Sequence, residues 1–280
     1  MIGEAQAAGI GRPQGAVPSN PPRGALLGAS ALLFAASAAG TIGWCVSMES
    51  AGSMPMPGGW TMSMAWMRMP GQSWPGAAAA FVAAWEVMMV AMMLPSLVPM
   101  LLRYRRALGS AGAARAGALT ALVGLGYYLV WTLLGLAAFP LGATLSAMEM
   151  RWPPLSRAVP LAVGGVVLVA GMFQLSGWKA RLLDCCRQSP GRGRVLAADA
   201  GTAIRHGLHL GIRCCLCCAG PMAVLLAVGV MDLLAMATVT AAITLERLAP
   251  PGLRAARVVG VAGVGAGLFL LARSAGIGVG

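Results

Sequence analysis

Residues 76–102 read GAAAAFVAAWEVMMVAMMLPSLVPMLL, an apolar block that contains a single charged residue, Glu86. A helix of this length rises about 40 Å at 1.5 Å per residue, which exceeds the roughly 30 Å hydrocarbon core of a bilayer. The block ends at three basic residues, Arg103, Arg105 and Arg106. This stretch therefore predicts a membrane-spanning helix.

The rest of the chain shares this apolar character. Of its 280 residues, 58% are hydrophobic and only 10% are charged, and the mean hydropathy is +0.77. A soluble domain of similar size carries about 25% charged residues. Further apolar blocks predict an all-α, polytopic transmembrane helical bundle of about seven spans, six or seven in number. The predicted spans cover residues 25–46, 76–102, 117–145, 158–178, 207–230, 232–248 and 258–272.

The short loops between the predicted spans differ in charge. The loops at 103–116 and 179–205 hold four and six basic residues, whereas those at 47–75 and 146–157 hold one and two. Because Lys and Arg accumulate in cytoplasmic loops, we expect the first pair to face the cytoplasm of an inner (plasma) membrane. The net charge of +12 then reflects orientation rather than a nucleic-acid partner.

This orientation places the two ends of the chain. Residues 1–24 are rich in Gly, Pro and Ala without an apolar period, and predict a flexible cytoplasmic tail ahead of a transmembrane domain over residues 25–274. With seven spans, the carboxyl terminus lies on the extracytoplasmic side.

Four cysteines fall within five residues near the start of the predicted fifth span: Cys214, Cys215, Cys217 and Cys218. Residues three and four apart share a helix face, so Cys214, Cys217 and Cys218 converge on one side with Cys215 at the edge. Thiolates are soft ligands that select copper(I), zinc and iron–sulfur clusters. The quartet indicates metal binding or thiol redox chemistry, with apolar packing of Cys as the alternative.

The predicted outer loop at 47–75 is rich in methionine, in alternating pairs interleaved with Trp60 and Trp66. Thioethers remain usable as ligands where thiols oxidise, and an indole face attracts a cation. We interpret the loop as a site of transient copper(I) or silver(I) capture, with simple contact to the membrane interface as the alternative. Its methionines are Met54, Met56, Met62, Met64, Met67 and Met69.

Two more methionine pairs lie inside the opening block itself. Met88 and Met92 share a helix face, as do Met89 and Met93. Adaptable packing beside the prolines of this helix is the alternative to a ligand role. Glu86 is an ionisable group within the bilayer, and such groups usually mark a pathway.

Counting depth from the ends of the spans places Met92 and Met93 level with the cysteine quartet. Soft ligands would then form a ladder from the outer loop to the thiols. His209, at the foot of the fifth span, is a further candidate ligand, and Gln174 is a buried amide that needs a partner. Cys45, near the outer face, has no predicted role.

Several of these motifs together resemble the predicted metal-binding integral membrane proteins, a bacterial family. The likeness covers about residues 80–250 and implies that Cys214, Cys217 and Cys218 bind metal. It rests on Trp85-x-x-Met88-Met89-x-Ala91-Met92-Met93-x-Pro95-Ser96, Gly126-Tyr127 with Trp131, Gly171-x-Phe173-Gln174-Leu175-Ser176 with Lys179 and Cys186-Arg187, the box from Gly207 to Met222 followed by Gly229-x-Met231, and Glu246-Arg247.

The chain departs from the pattern of that family at a few positions. Leu216 and Ala219 stand where the family has Gly and Trp beside its paired cysteines. Leu210 replaces a His, and Leu182 replaces a Cys, so neither position supplies a ligand here. The sequence is therefore identified as a divergent member.

The leading hypothesis is an integral membrane protein that captures copper(I) with outer thioethers and binds it through intramembrane Cys and Met, in copper trafficking or homeostasis. The alternatives are a non-catalytic assembly or scaffold protein and a membrane thiol–disulfide oxidoreductase. No nucleotide-binding loop is present, so we do not expect an ATP-driven pump. Apart from the thiol–disulfide oxidoreductase of the second alternative, we do not expect an enzyme. The expected partners are the lipid bilayer, a metal ion, and a metallochaperone or a respiratory-complex component.

Overall fold

The computed structural model describes residues 23–50, 54–109, 112–188, 191, 196–249 and 255–276. The tail predicted at residues 1–24 lies almost entirely outside this part of the chain. The described residues form eight α-helices and one short β-hairpin. The helices are α1 (Arg23–Ser50), α2 (Trp74–Ala107), α3 (Ala113–Arg151), α4 (Pro153–Leu175), α5 (Gly177–Arg187), α6 (Ala200–Val228), α7 (Leu233–Leu248) and α8 (Ala255–Ser274).

Six of these helices, α1 to α4, α6 and α8, are long and apolar enough to cross a membrane. The predicted all-α, polytopic class is confirmed. The predicted span at 232–248 becomes α7, which has 16 residues and so rises about 24 Å, less than a bilayer core. The basic loop predicted at 179–205 instead contains most of α5 and the start of α6.

Polar side chains define where several helices begin. Ser73, Ser176, Asp199 and Asp232 each accept a hydrogen bond from a backbone N–H in the first turn of α2, α5, α6 and α7. Each cap satisfies a donor that has no partner within its helix. Ser176 ends α4 and caps α5 inside the single span that hydropathy predicts at residues 158–178.

Glycines set the closest helix contacts. A Cβ atom on Gly126 of α3 would lie 2.6 Å from the carbonyl oxygen of Ile204 on α6, and one on Gly211 would lie 2.8 Å from the carbonyl oxygen of Tyr127. The α4–α8 pair is built in the same way, around Gly171 and Gly267. Small residues let backbones approach closely where lipid provides no hydrophobic drive between helices. The α3–α6 contact fixes the height of Tyr127 relative to the cysteine quartet.

The methionine-rich loop is more ordered than predicted. Strands β1 (Met54–Met56) and β2 (Trp60–Met62) form an antiparallel hairpin that pairs Met54 with Met62 and Met56 with Trp60. A 3-10 turn, Met64–Trp66, follows. The two strands together contain only six residues. Their pairing across a short turn is a local contact that hydropathy does not report.

Replacing Gly126 with Val should destabilise the fold, because the added atoms collide with the α6 backbone; overpacking of this kind costs about 1–3 kcal/mol. Thermal unfolding of the detergent-solubilised chain measures the effect. Gly124→Val is the matched control, since a Cβ there meets nothing within 4 Å. Equal melting temperatures for the two variants would contradict the close α3–α6 contact.

Candidate metal centre

The cysteine quartet of α6 lies at the centre of the bundle. Cys214, Cys217 and Cys218 are fully buried, while Cys215 at the edge is half-buried. The Sγ atoms of Cys214 and Cys218 lie 3.8 Å apart. The Sγ atom of Cys214 also lies 3.8 Å from Sδ of Met93 on α2. Cys214 and Met93 are 121 residues apart in the chain, so the structure brings together sulfur atoms from two distant helices.

The two sulfur separations suit a shared metal ion. With a metal–sulfur bond of about 2.3 Å, as in zinc–thiolate sites, two sulfurs on one ion lie about 3.8–4.6 Å apart for tetrahedral to linear geometry. No group of three or more His, Cys, Asp or Glu in the described ranges is arranged as a metal site. The fit here depends on a thioether, Met93, which complements Cys214 and Cys218.

Two donors from other helices converge on the Cys214 sulfur. The Tyr127 hydroxyl on α3 donates a hydrogen bond of 2.9 Å, and Nη1 of Arg247 on α7 donates one of 3.1 Å. Arg247 also donates to Ser96 Oγ at 2.9 Å and lies 3.8 Å from Met100 Sδ, both on α2. A cation and hydrogen-bond donors favour the thiolate, which is the form that binds metal.

Helix α5 adds a fifth buried sulfur to this group. The Cys186 thiol donates a hydrogen bond of 3.4 Å to the carbonyl oxygen of Arg213. Hydrogen bonding with Cys217 raises the pKa of the Cys186 thiol, and burial raises that pKa further. The Cys186 sulfur thus lies beside the quartet.

A buried ion pair lies next to the cysteine quartet. Lys179 Nζ lies 2.7 Å from Glu246 Oε2 and donates to the carbonyl oxygen of Cys217 at 2.6 Å. Gln174 donates to the other oxygen of Glu246 at 2.6 Å, so the amide that needed a partner has one. Arg187 donates to the backbone oxygen of Glu246 at 2.9 Å. The network joins α4, α5, α6 and α7.

The methionines of α2 follow the expected arrangement along the helix. Met88, Met89, Met92 and Met93 are all buried, and Met93 contacts the quartet through its sulfur. Glu86 is only half-buried, and its Oε1 accepts a hydrogen bond of 2.8 Å from Thr132 on α3. The carboxyl group thus has a polar partner away from the thiols.

The outer methionines lie apart from this cluster. Met54, Met56 and Met62 share one face of the hairpin with Trp60, because they alternate with exposed residues along both strands. Met56 and Met62 are buried, Met64 and Met67 are half-buried, and Met69 is exposed. Hydrogen bonds between Trp60 and Ser156, and between Ser156 and Pro57, hold the hairpin against the start of α4.

The structure does not bring the histidine into the sulfur cluster. His209 is exposed on α6, whereas Leu210, next to it, is buried. The neighbouring His206 stacks on Tyr104 with ring centroids 5.3 Å apart. Cys185 is exposed on α5, in contrast to buried Cys186.

The family pattern is the sequence feature that marks Tyr127, Lys179, Glu246 and Arg247, and it assigns them no role. A signal was available, since ionisable residues in apolar helices are costly and usually functional. What the sequence could not supply was the partner of each one. Those partners lie 33 to 151 residues away in the chain.

Replacing Lys179 with Met should lower the free energy of unfolding by about 3–5 kcal/mol, because Glu246 would remain buried without its cation. Thermal unfolding in detergent measures the loss. Arg181→Met is the control, since this side chain is exposed on the same helix. Glu246→Gln added to Lys179→Met should restore part of the stability, and a double variant no more stable than the single one would argue against the ion pair.

Comparison with known proteins gives one match. No curated protein and no solved structure is similar to the chain. A family model described as PpoB2, copper chaperone, matches residues 82–270. The match spans α2 from Val82 onward and most of α8, and so includes every helix that contributes to the sulfur cluster. It covers well over half of the 280 residues, and the chain therefore belongs to the PpoB2 copper chaperone family.

Proposed function

We propose that this protein is a membrane-embedded copper chaperone that carries copper(I) as cargo on Cys214, Cys218 and Met93, with Cys217 and Cys186 beside them. The observation that carries the proposal is the pair of 3.8 Å sulfur separations centred on Cys214. These sulfurs are already spaced for one ion, so binding needs little rearrangement of the helices. The membership in a copper chaperone family supports the same choice of metal.

The chemistry of the donors favours copper(I) over harder ions. Thiolate and thioether sulfurs select soft cations, while magnesium and calcium require oxygen ligands. Burial of Cys214 and Cys218 also keeps water and oxidants away from the ion. A scaffold protein would have no need to place the sulfur atoms of Met93 and Cys218 each 3.8 Å from that of Cys214.

The charge of the site favours a monovalent cation. Copper(I) bound to two thiolates carries a net charge of −1, and the Arg247 guanidinium, 3.1 Å from Cys214, brings the group to neutrality. A divalent ion on the same ligands would leave an uncompensated positive charge. Uncompensated charge is expensive in a bundle interior.

The methionines provide a route to this site. Met56 and Met62 of the hairpin would take up the ion on the extracytoplasmic side, and the Met88 to Met93 stretch of α2 would conduct it inward. Met89 and Met93 are both fully buried on that helix. In this scheme the protein lies in the inner membrane with its basic loops in the cytoplasm. It exchanges copper with a metallochaperone or a respiratory-complex component, without catalysing a reaction.

The burial of the thiols disfavours an oxidoreductase. Thiol–disulfide exchange requires a thiolate that a second sulfur can reach. Cys214, Cys217 and Cys218 expose 1% of their surface or less, and none of these three forms a disulfide. A metal ion can pass between packed thioethers where a protein dithiol cannot.

The direct test is the copper content of the detergent-purified chain after loading with copper(I) under reducing conditions. Changing Cys214, Cys217 and Cys218 together to Ser should remove the copper bound at this site. Cys185→Ser is the matched control, because Cys185 is exposed on α5 and outside the cluster. Equal copper in the wild type and the triple variant would exclude the quartet as the binding site.

Arg247→Gln tests the charge argument separately. We expect it to weaken copper(I) affinity by about 10–100-fold while leaving the thiols in place, since residues that orient metal ligands have effects of this size. Competition with a chromophoric copper(I) chelator measures the affinity. Arg257→Gln, at an exposed position of α8, should have no effect, and an unchanged affinity in Arg247→Gln would remove the proposed role of the guanidinium.

A further inference from the structure

A second sulfur cluster lies between α1, α2 and α7, separate from the cysteine quartet. Cys45 on α1 is buried, with 1% of its surface exposed, and its thiol donates to Sδ of Met231 at 3.9 Å. The two residues are 186 positions apart in the chain. Neither was assigned a role from the sequence.

This pair borders a cavity of about 280 Å³. Four sulfur-bearing side chains line it, since Met88 of α2 and Met236 of α7 join Cys45 and Met231. Met88 and Met236 are almost fully buried. The cavity therefore gathers sulfur donors from three helices and the α6–α7 connection around one space.

The remaining lining suits a soft monovalent cation. The side chains around the cavity include Trp44, Trp85 and Phe81, and none of the lining residues is charged. An indole face attracts a cation. The Trp85 ring is held in place because its Nε1 donates to the backbone oxygen of Trp131 at 3.0 Å.

We propose that this cavity is a second copper(I) site, in which Cys45 and Met231 bind the ion with Met88 and Met236 within its lining. The inference rests on the proposed function, because it takes copper(I) as the cargo. Copper(I) replaces the proton of the Cys45 thiol, which is released to the solvent, and the resulting copper–thiolate group is neutral, so this site needs no counterpart of Arg247. A divalent ion on one thiolate, or copper(I) on two thiolates, would leave a net charge in a cavity lined by uncharged residues.

On the proposed copper route along α2, the cavity comes before the cysteine quartet. Met88 precedes Met92 by one helical turn, a rise of about 6 Å along α2. Met92 is followed by Met93, which contacts Cys214. With a single thiolate, the cavity should bind copper(I) more weakly than the quartet, so the ion would move toward the stronger site. For transfer, the ion leaves the Cys45 sulfur, which takes up a proton again, and passes over the neutral thioethers of Met88 and Met92 to Met93.

Copper(I) titration of the full detergent-solubilised chain tests the second site. A chromophoric chelator under reducing conditions buffers the metal. Cys45→Val with Met231→Leu should bind one equivalent of copper less than the wild type, while keeping the equivalent that the Cys214, Cys217, Cys218 to Ser variant loses. Cys185→Ser with Met148→Leu, which removes two exposed sulfurs, is the matched control and should bind as the wild type does.

The two proposals fail in different ways. If Cys45→Val with Met231→Leu retains all the copper while the triple serine variant loses one equivalent, the cavity site is overturned and the quartet stands. If both variants retain all the copper, both proposals fail. Cys45→Ser separates ligation from packing, because it keeps the size of the side chain and removes the soft donor. Loss of one equivalent of copper in Cys45→Ser supports ligation, whereas full copper retention in Cys45→Ser overturns the second site.

Discussion

A guanidinium group and a sulfur atom, 3.1 Å apart inside an apolar helical bundle, impose the strictest requirement on this structure. Arg247 is buried, and a buried cation must find acceptors or counter-charge. Its partners come from Cys214 on α6 and from Ser96 and Met100 on α2. Tyr127 on α3 donates to the same sulfur. The relative positions of four helices are therefore tied to this contact.

Glu246, the residue before Arg247, is acidic and belongs to a different network of polar contacts. Glu246 pairs with Lys179 of α5 and accepts from Gln174 of α4. Two adjacent side chains of α7 thus join nearly all the helices around the quartet. Helix α7 has only 16 residues, and these polar contacts explain how so short a helix keeps a fixed place in the bundle. Apolar packing alone would permit it to slide or rotate.

The sulfur donors of the proposed copper route differ in charge along its length. The hairpin offers neutral thioethers, the cavity offers one thiol with Met231, and the quartet offers several thiols beside Arg247. Affinity for copper(I) should rise with the number of thiolates, because each adds charge attraction to ligation. Such an order gives direction to transfer without an external energy source. It also gives the buried methionines of α2 a role between the sites.

Much of the fold could be predicted from the sequence. The apolar blocks and their lengths gave the all-α class and nearly all of the spans, since a helix must match the bilayer thickness. The sharing of one face by Cys214, Cys217 and Cys218 also followed, because it depends only on helical repeat. The hairpin, helix α5 and the shortness of α7 did not follow. Each depends on helix capping or strand pairing, which the average hydropathy of a segment does not report.

The sequence by itself determined which side chains are soft, charged or apolar and which of them share a helix face. Only the tertiary structure decided that Tyr127 and Arg247 meet at Cys214. It also decided that Cys45, which has no role predicted from the sequence, meets Met231. The physical reason is that face and period are local properties of one helix. The height and rotation of one helix against another depend on close contacts such as Gly126 against α6, and no single stretch of sequence contains both sides of such a contact.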